Sequence, residues 1–129
     1  MSKTLTKIML VDDEPDIREV ARMSLEMVGG LQVETCENGV EALSRVHDIA
    51  PDLILLDVMM PEMTGPETLA QMQAAGYVDS TPVVFMTAKV QPNEVAEYKG
   101  LGAADVIAKP FDPMTLAEQV KSIWDTCEP

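Results

Sequence analysis

Apolar residues along this chain come in two spacings, short unbroken runs and helical repeats, and the two alternate five times. Residues 7–11 (KIMLV) form the first run. From residue 15 to about 28, apolar positions then recur at helical spacing, at Ile17, Val20, Ala21, Leu25 and Val28, and Gly29-Gly30 stops the helix. Residues 31–36 alternate polar and apolar, as an edge strand would, and 38–47 return to helical spacing through Val40, Leu43 and Val46. A third strand is expected at 52–56 with its helix from 66 to about 75. A fourth strand at 82–86 (PVVFM) precedes a helix from about 92 to 99. The fifth strand spans 104–108, and a last helix runs to about 125, with Asp112 as N-cap and Pro113 in its first turn.

Strand–helix alternation with continuously apolar strands argues an α/β fold, a doubly wound parallel sheet of five strands with five helices on its two faces. The right-handed crossover rule leaves few such topologies. Ligands in these sheets gather at the carboxyl ends of the strands. That directs attention to the residue following each apolar run: Asp12 and Asp13 after the first, Asp57 after the third, Thr87 after the fourth and Lys109 after the fifth.

Those five residues have a joint chemistry. Clustered carboxylates repel one another and favour a divalent cation between them; oxygen ligands without His or Cys suit Mg²⁺ before Zn²⁺. An ammonium from Lys109 and a hydroxyl from Thr87 are equipped to hold a phosphoryl group. A carboxylate can itself be the nucleophile and form an aspartyl phosphate, which explains why the apolar run 53–56 leads straight into Asp57. Taken singly, each residue has a plainer reading. Asp13 would serve as a helix cap, Thr87-Ala88 as loop and Lys109-Pro110 as a turn. All five at successive strand ends favour the joint site.

Composition narrows the range of partners. The 129 residues, 47% apolar and 24% charged, suit one globular domain. The formal charge of −13 repels phosphate backbones and disfavours direct nucleic-acid binding. No apolar run is long enough to span a membrane, the first residues lack a secretory signal, and Cys36 and Cys127 read as reduced thiols, so a cytoplasmic location is expected.

Four stretches carry a family resemblance: IMLVDDE (residues 8–14), LILLDVMMPEMTG (53–65), VVFMTA (83–88) and GAADVIAKPF (102–111). Through them the chain resembles the response-regulator receiver domains of two-component signalling over about residues 5–126. The resemblance implies a flavodoxin-like fold with strand order 2-1-3-4-5. It implies that Asp57 is the phosphoacceptor, and that Asp12, Asp13, Asp57 and the backbone carbonyl of Met59 hold Mg²⁺. Thr87 and Lys109 would bind phosphoryl oxygens, and the Lys109–Pro110 peptide would be cis. The donor would be a sensor histidine kinase or a histidine phosphotransfer protein. The output would be a protein contact through the fourth helix, fifth strand and fifth helix.

The chain departs from the family pattern at Val106, where receivers carry an aromatic ring that turns inward on activation. Signal transmission would then rest on Thr87 and the loop after it, or be weakened. Residues 1–129 are expected to form a single receiver with no output domain, though a longer parent chain would leave the output open. His47 is expected to be a partly exposed helix residue. Met60 and Met63 are expected to fill core gaps, with a partner contact as the alternative. Two other functions compete. A Mg²⁺-dependent phosphohydrolase with an aspartyl intermediate would need a substrate cap and a second Asp two positions after Asp57, where Met59 stands. A receiver fold working without phosphorylation would not need the intact five-residue site.

Overall fold

The computed structural model describes residues 4–127. Five strands alternate with five helices: β1 (Lys7–Val11), α1 (Pro15–Met23), β2 (Gln32–Cys36), α2 (Gly39–Ile49), β3 (Leu53–Asp57), α3 (Gly65–Ala74), β4 (Val83–Thr87), α4 (Pro92–Gly100), β5 (Asp105–Ala108) and α5 (Leu116–Cys127). The strands form one parallel sheet in the order β2-β1-β3-β4-β5, as expected.

Side chains alternate across the sheet and so build two cores. Ile8, Leu10, Leu53, Leu55, Val84, Met86 and Ile107 face α1 and α5, where Ala21, Leu25, Val120 and Trp124 cover them. Met9, Val11, Ile54, Leu56, Val83 and Phe85 face the other way, against Ala42 and Val46 of α2 and Leu69 and Met72 of α3. Both β3 and β4 are buried along their whole length, which is why each reads as an unbroken apolar run. β2, at the edge, is exposed at alternate positions.

Several boundaries differ from the sequence reading, each for a local reason. β3 starts at Leu53 and includes Asp57; Asp52 instead accepts the Thr6 and Lys7 amides at 2.9 Å and ties down the start of β1. The expected helix to residue 28 is present, but Ser24–Val28 winds as a π-turn continuing α1. Asp112 caps a turn rather than α5: its Oδ1 accepts the Met114 amide at 2.8 Å, and the helix begins only at Leu116. α2 and α3 are capped by side chains, Asn38 accepting from the Glu41 amide and Thr64 sharing a capping box with Glu67. His47 is exposed and lies 6.0 Å, ring to ring, from Tyr77. Met60 is buried in the α2–α3 core and Met63 is half-buried against Gly39, which suits the gap-filling reading.

α4 is the exception among the helices, since none of its residues is buried. It rests on the sheet chiefly through Tyr98, whose ring meets the fully buried Phe85 edge-on at 5.3 Å.

Candidate functional site

The sheet delivers its polar residues to one edge. β1 ends at Val11, and the chain immediately presents Asp12, wholly buried, and Asp13, half-buried. Asp12 is held from three directions: its amide donates to the Cys36 carbonyl at 3.1 Å, its carbonyl accepts from the Arg18 guanidinium at 2.8 Å, and its Oδ1 accepts from the Glu14 amide at 2.9 Å. Glu14, not Asp13, is the residue preceding α1, and it makes no side-chain cap, so the capping alternative for Asp13 does not hold.

Asp57 is the last residue of β3 and is 2% exposed. The Val58 amide behind it donates to the Met86 carbonyl at 3.1 Å, which keeps the backbone in line with β4. Gly65 packs against that backbone so tightly that a β-carbon would lie 2.5 Å from the Asp57 carbonyl oxygen. No larger residue fits there without moving the strand end. Thr87 ends β4 and is buried; its hydroxyl accepts from the Lys89 amide at 3.1 Å. Lys109 follows β5, donates its amide to the Thr87 carbonyl at 2.9 Å, and precedes Pro110 through a cis peptide.

These side chains converge. Lys109 Nζ lies 3.1 Å from Asp12 Oδ2, 3.3 Å from Asp57 Oδ1 and 3.6 Å from Glu14 Oε1. Ligand atoms of Asp12, Asp13, Glu14 and Asp57 all fall within 4.8 Å of one another. Glu14 is the member that the strand-end argument missed. The signal was adjacency: it follows Asp12-Asp13 in the same loop, and its long side chain reaches back over Lys109.

The electrostatics are unbalanced. Burial first, and then the charge of Asp12, push the Asp57 carboxyl from an ordinary 3.8 up to about 7, against the pull of Lys109; the neighbouring Asp13 carboxyl raises it too. Burial disfavours the Lys109 ammonium, yet Asp12 and Asp57 outweigh it and hold the amine above its usual value. Two buried carboxylate oxygens, Asp13 Oδ1 and Asp57 Oδ2, have no hydrogen-bond partner among the described residues. Unmet oxygens in an all-oxygen donor set fit a hard divalent cation such as Mg²⁺.

An opening of about 350 Å³ leads to Asp57, bordered by Glu14, Ile17, Met59, Thr87 and Pro110. Met59 is 70% exposed at this mouth. Lys89 is exposed and does not border the opening.

The result is an acidic pocket closed by a lysine, at the carboxyl edge of a doubly wound sheet. The response regulator receiver domain model matches residues 8–121, and the chain belongs to that family. It is 37% identical over 119 residues to a CpxR homolog of Haemophilus influenzae, a transcriptional regulatory protein, covering 92% of this chain and 50% of that one. It is 36% identical over 116 residues to the phosphate regulon regulator PhoB of Pseudomonas aeruginosa, covering 90% and 50%. The chain thus spans about half the length of these relatives. Among solved structures it is similar to the chemotaxis response regulator CheY4 of Vibrio cholerae, with 33% identity, a TM-score of 0.85 and coverage of 93% and 99%. A receiver domain protein from Methanospirillum hungatei gives 26%, 0.81 and coverage of 96% and 97%. As a receiver domain of two-component signalling, the chain implies a kinase or phosphotransfer partner. Among the described residues, no helix is long and apolar enough to cross a membrane.

Proposed function

We propose that Asp57 accepts a phosphoryl group from the phosphohistidine of a sensor kinase or histidine phosphotransfer protein, and that the resulting aspartyl phosphate changes a protein-contact surface. One observation carries this reading: the two oxygens of Asp57 are treated differently. Oδ1 is held by Lys109, while Oδ2 is buried at the pocket without a partner. A carboxylate so divided is oriented by one atom and reactive at the other. In the transfer, an Asp57 oxygen bonds to phosphorus, the phosphorus–nitrogen bond breaks, and its electron pair returns to the imidazole.

Asp12, Asp13, Asp57 and the Met59 carbonyl would hold Mg²⁺, which when bound neutralises negative charge on the phosphoryl oxygens. Lys109 is already seated within reach of Asp57, so it meets a developing charge without reorganising. The Thr87 hydroxyl offers a donor on the other side, at the end of the neighbouring strand. The chain catalyses only its own phosphorylation and dephosphorylation, and acts in the cytoplasm through protein partners rather than nucleic acid.

Output passes to α4, β5 and α5. Phe85 lies two residues before Thr87 on β4 and pairs with Val106 of β5. Tyr98 and Val106 pack on the same core cluster, so the ring that position 106 lacks is supplied from α4 by Tyr98. Movement of Thr87 toward the phosphoryl group disturbs β4, and Phe85 passes that disturbance to Tyr98.

Intact-mass measurement after incubation with acetyl phosphate and Mg²⁺ tests the acceptor. The wild-type chain gains one phosphoryl group and Asp57→Asn gains none, because an amide is a poor nucleophile and a poor ligand. An Asn variant phosphorylated at the wild-type rate removes Asp57 from the role.

A further inference from the structure

Glu14 is the one member of the acidic cluster that the phosphoryl transfer leaves without a task. Its side chain is 58% exposed at the opening to Asp57, 3.6 Å from Lys109 Nζ. We propose that this carboxylate selects the phosphoryl donor by the charge of its leaving group. It admits a neutral or cationic ring such as imidazole and opposes an anion such as acetate. The proposal rests on the reading of Asp57 as the acceptor and names the residue that sets the class of donor.

Charge at the opening is uneven. Three charged residues border it, Glu14, Asp57 and Lys109. Asp57 is buried, and the Lys109 side chain is only 12% exposed and already shared by Asp12 at 3.1 Å and Asp57 at 3.3 Å. Two closer carboxylates outweigh one ammonium, so little of its charge remains for Glu14. Arg18 and Lys89, the cations nearest in sequence to Glu14 and Thr87, do not border the opening, and Arg18 donates to the Asp12 carbonyl at 2.8 Å. Glu14 is therefore the charge that an incoming group meets from solvent. Around it the rim is apolar, through Ile17, Met59, Ala88 and Pro110. An apolar rim with one carboxylate suits a flat ring able to carry positive charge and disfavours an anion. The two donor classes differ in what departs. With phosphoimidazole protonated on its second nitrogen, an Asp57 oxygen bonds to phosphorus, the phosphorus–nitrogen bond breaks, and its electron pair leaves on neutral imidazole. With acetyl phosphate, the phosphorus–oxygen bond breaks and the pair leaves as the negative charge of acetate. That charge develops beside Glu14 and is repelled, whereas the imidazole is not.

The test follows phosphoryl gain by intact mass on the full chain with Mg²⁺ at neutral pH, from acetyl phosphate and from phosphoimidazole at equal ionic strength. The readout is the ratio of the phosphoimidazole rate to the acetyl phosphate rate, since a change in fold or in metal affinity moves both rates together. Glu14→Gln is expected to lower that ratio about fivefold, and Glu14→Lys to lower it further. Asp16→Asn, which removes an exposed acid outside the opening, should leave it unchanged. High salt should shrink the effect of Glu14→Gln, because the carboxylate stands in solvent. A ratio unaltered by both Glu14 variants, or lowered as far by Asp16→Asn, would overturn the proposal. A chain that both donors phosphorylate at a fixed ratio sinks the donor selection alone. One that gains no phosphoryl group from either sinks the acceptor reading, and the selection with it.

Discussion

α1, which borders the pocket through Ile17, and α4, which follows the Thr87 strand end, are held in opposite ways. α1 is pinned at each end. Arg18 binds the Asp12 carbonyl near its start, and the π-turn at its end buries Ser24 and Leu25, with the Ser24 hydroxyl donating to the Pro113 carbonyl. Arg22 pairs with both Glu19 and Glu26 along its surface. α4 has no buried residue and leans on one ring, Tyr98. Of two helices so held, only the second moves at low cost. Local opening follows buried contact, so α4 belongs to the low-stability end of the molecule.

The largest test removes the chemistry. Acetyl phosphate with Mg²⁺ should change amide exchange in α4 and leave α1 unaltered, and Asp57→Asn should abolish the change entirely. Exchange altered equally in both helices would break the comparison. Next in size is the resting difference itself. Amides in the middle of α4 should exchange roughly a hundredfold faster than those of α1, an opening free energy smaller by about 2.7 kcal/mol. Tyr98→Ala should widen that gap, because an edge-on ring pair contributes about 0.5–1.5 kcal/mol beyond its buried area.

Smaller effects probe the mouth and the cluster. Met59 offers bulk and no strong hydrogen bond at the opening, so it crowds a hydrolytic water rather than orienting it. Met59→Asn with Lys89→Glu should speed phosphate release roughly tenfold, about 1.4 kcal/mol of barrier in all. Since Lys89 does not border the opening, Met59→Asn alone is expected to supply most of the gain. Single-turnover phosphate release decides between them.

The smallest expected effects are thermal. Because folding raises the Asp57 carboxyl from 3.8 to about 7, its protonated form favours the folded state. That contribution is complete below about pH 3.8 and is lost as pH rises through about 7. Without added metal, Asp57→Asn should therefore melt several degrees higher than wild type at pH 8, with the difference vanishing near pH 4. Millimolar Mg²⁺ should raise the wild-type melting temperature at pH 8, and Asp13→Ala should lose most of that rise. A pH-independent difference would mean that Asp57 is not charged against its surroundings.

The sheet was legible because a strand covered on both faces must be apolar throughout, so its first polar residue marks where it ends. That rule located Asp12, Asp57, Thr87 and Lys109 without any knowledge of contacts. It worked less well where side-chain length or packing decides. Glu14 joins the cluster by reaching back across a turn, which spacing does not encode. Asp112-Pro113 carries a helix-start signal but caps a turn, since the chain must first cross from the pocket to α5. Tyr98 reads as one apolar position in a weakly patterned helix, and only the placement of Phe85 beneath it makes it an anchor.

The interior position of β1, between β2 and β3, also governs how the chain reaches this structure. The first strand of this domain to be synthesised pairs with β2 on one side and with β3 on the other, and the Ile8–Leu53 pairing closes a loop of about 45 residues. Until residue 57 has been synthesised, a strand destined for complete burial has only an edge partner. Residues 8–11 are therefore the segment most exposed to misassociation during synthesis, and completion of β3 is the event that ends that exposure. The strand that carries the phosphoacceptor is thus also the one that first shelters the centre of the fold.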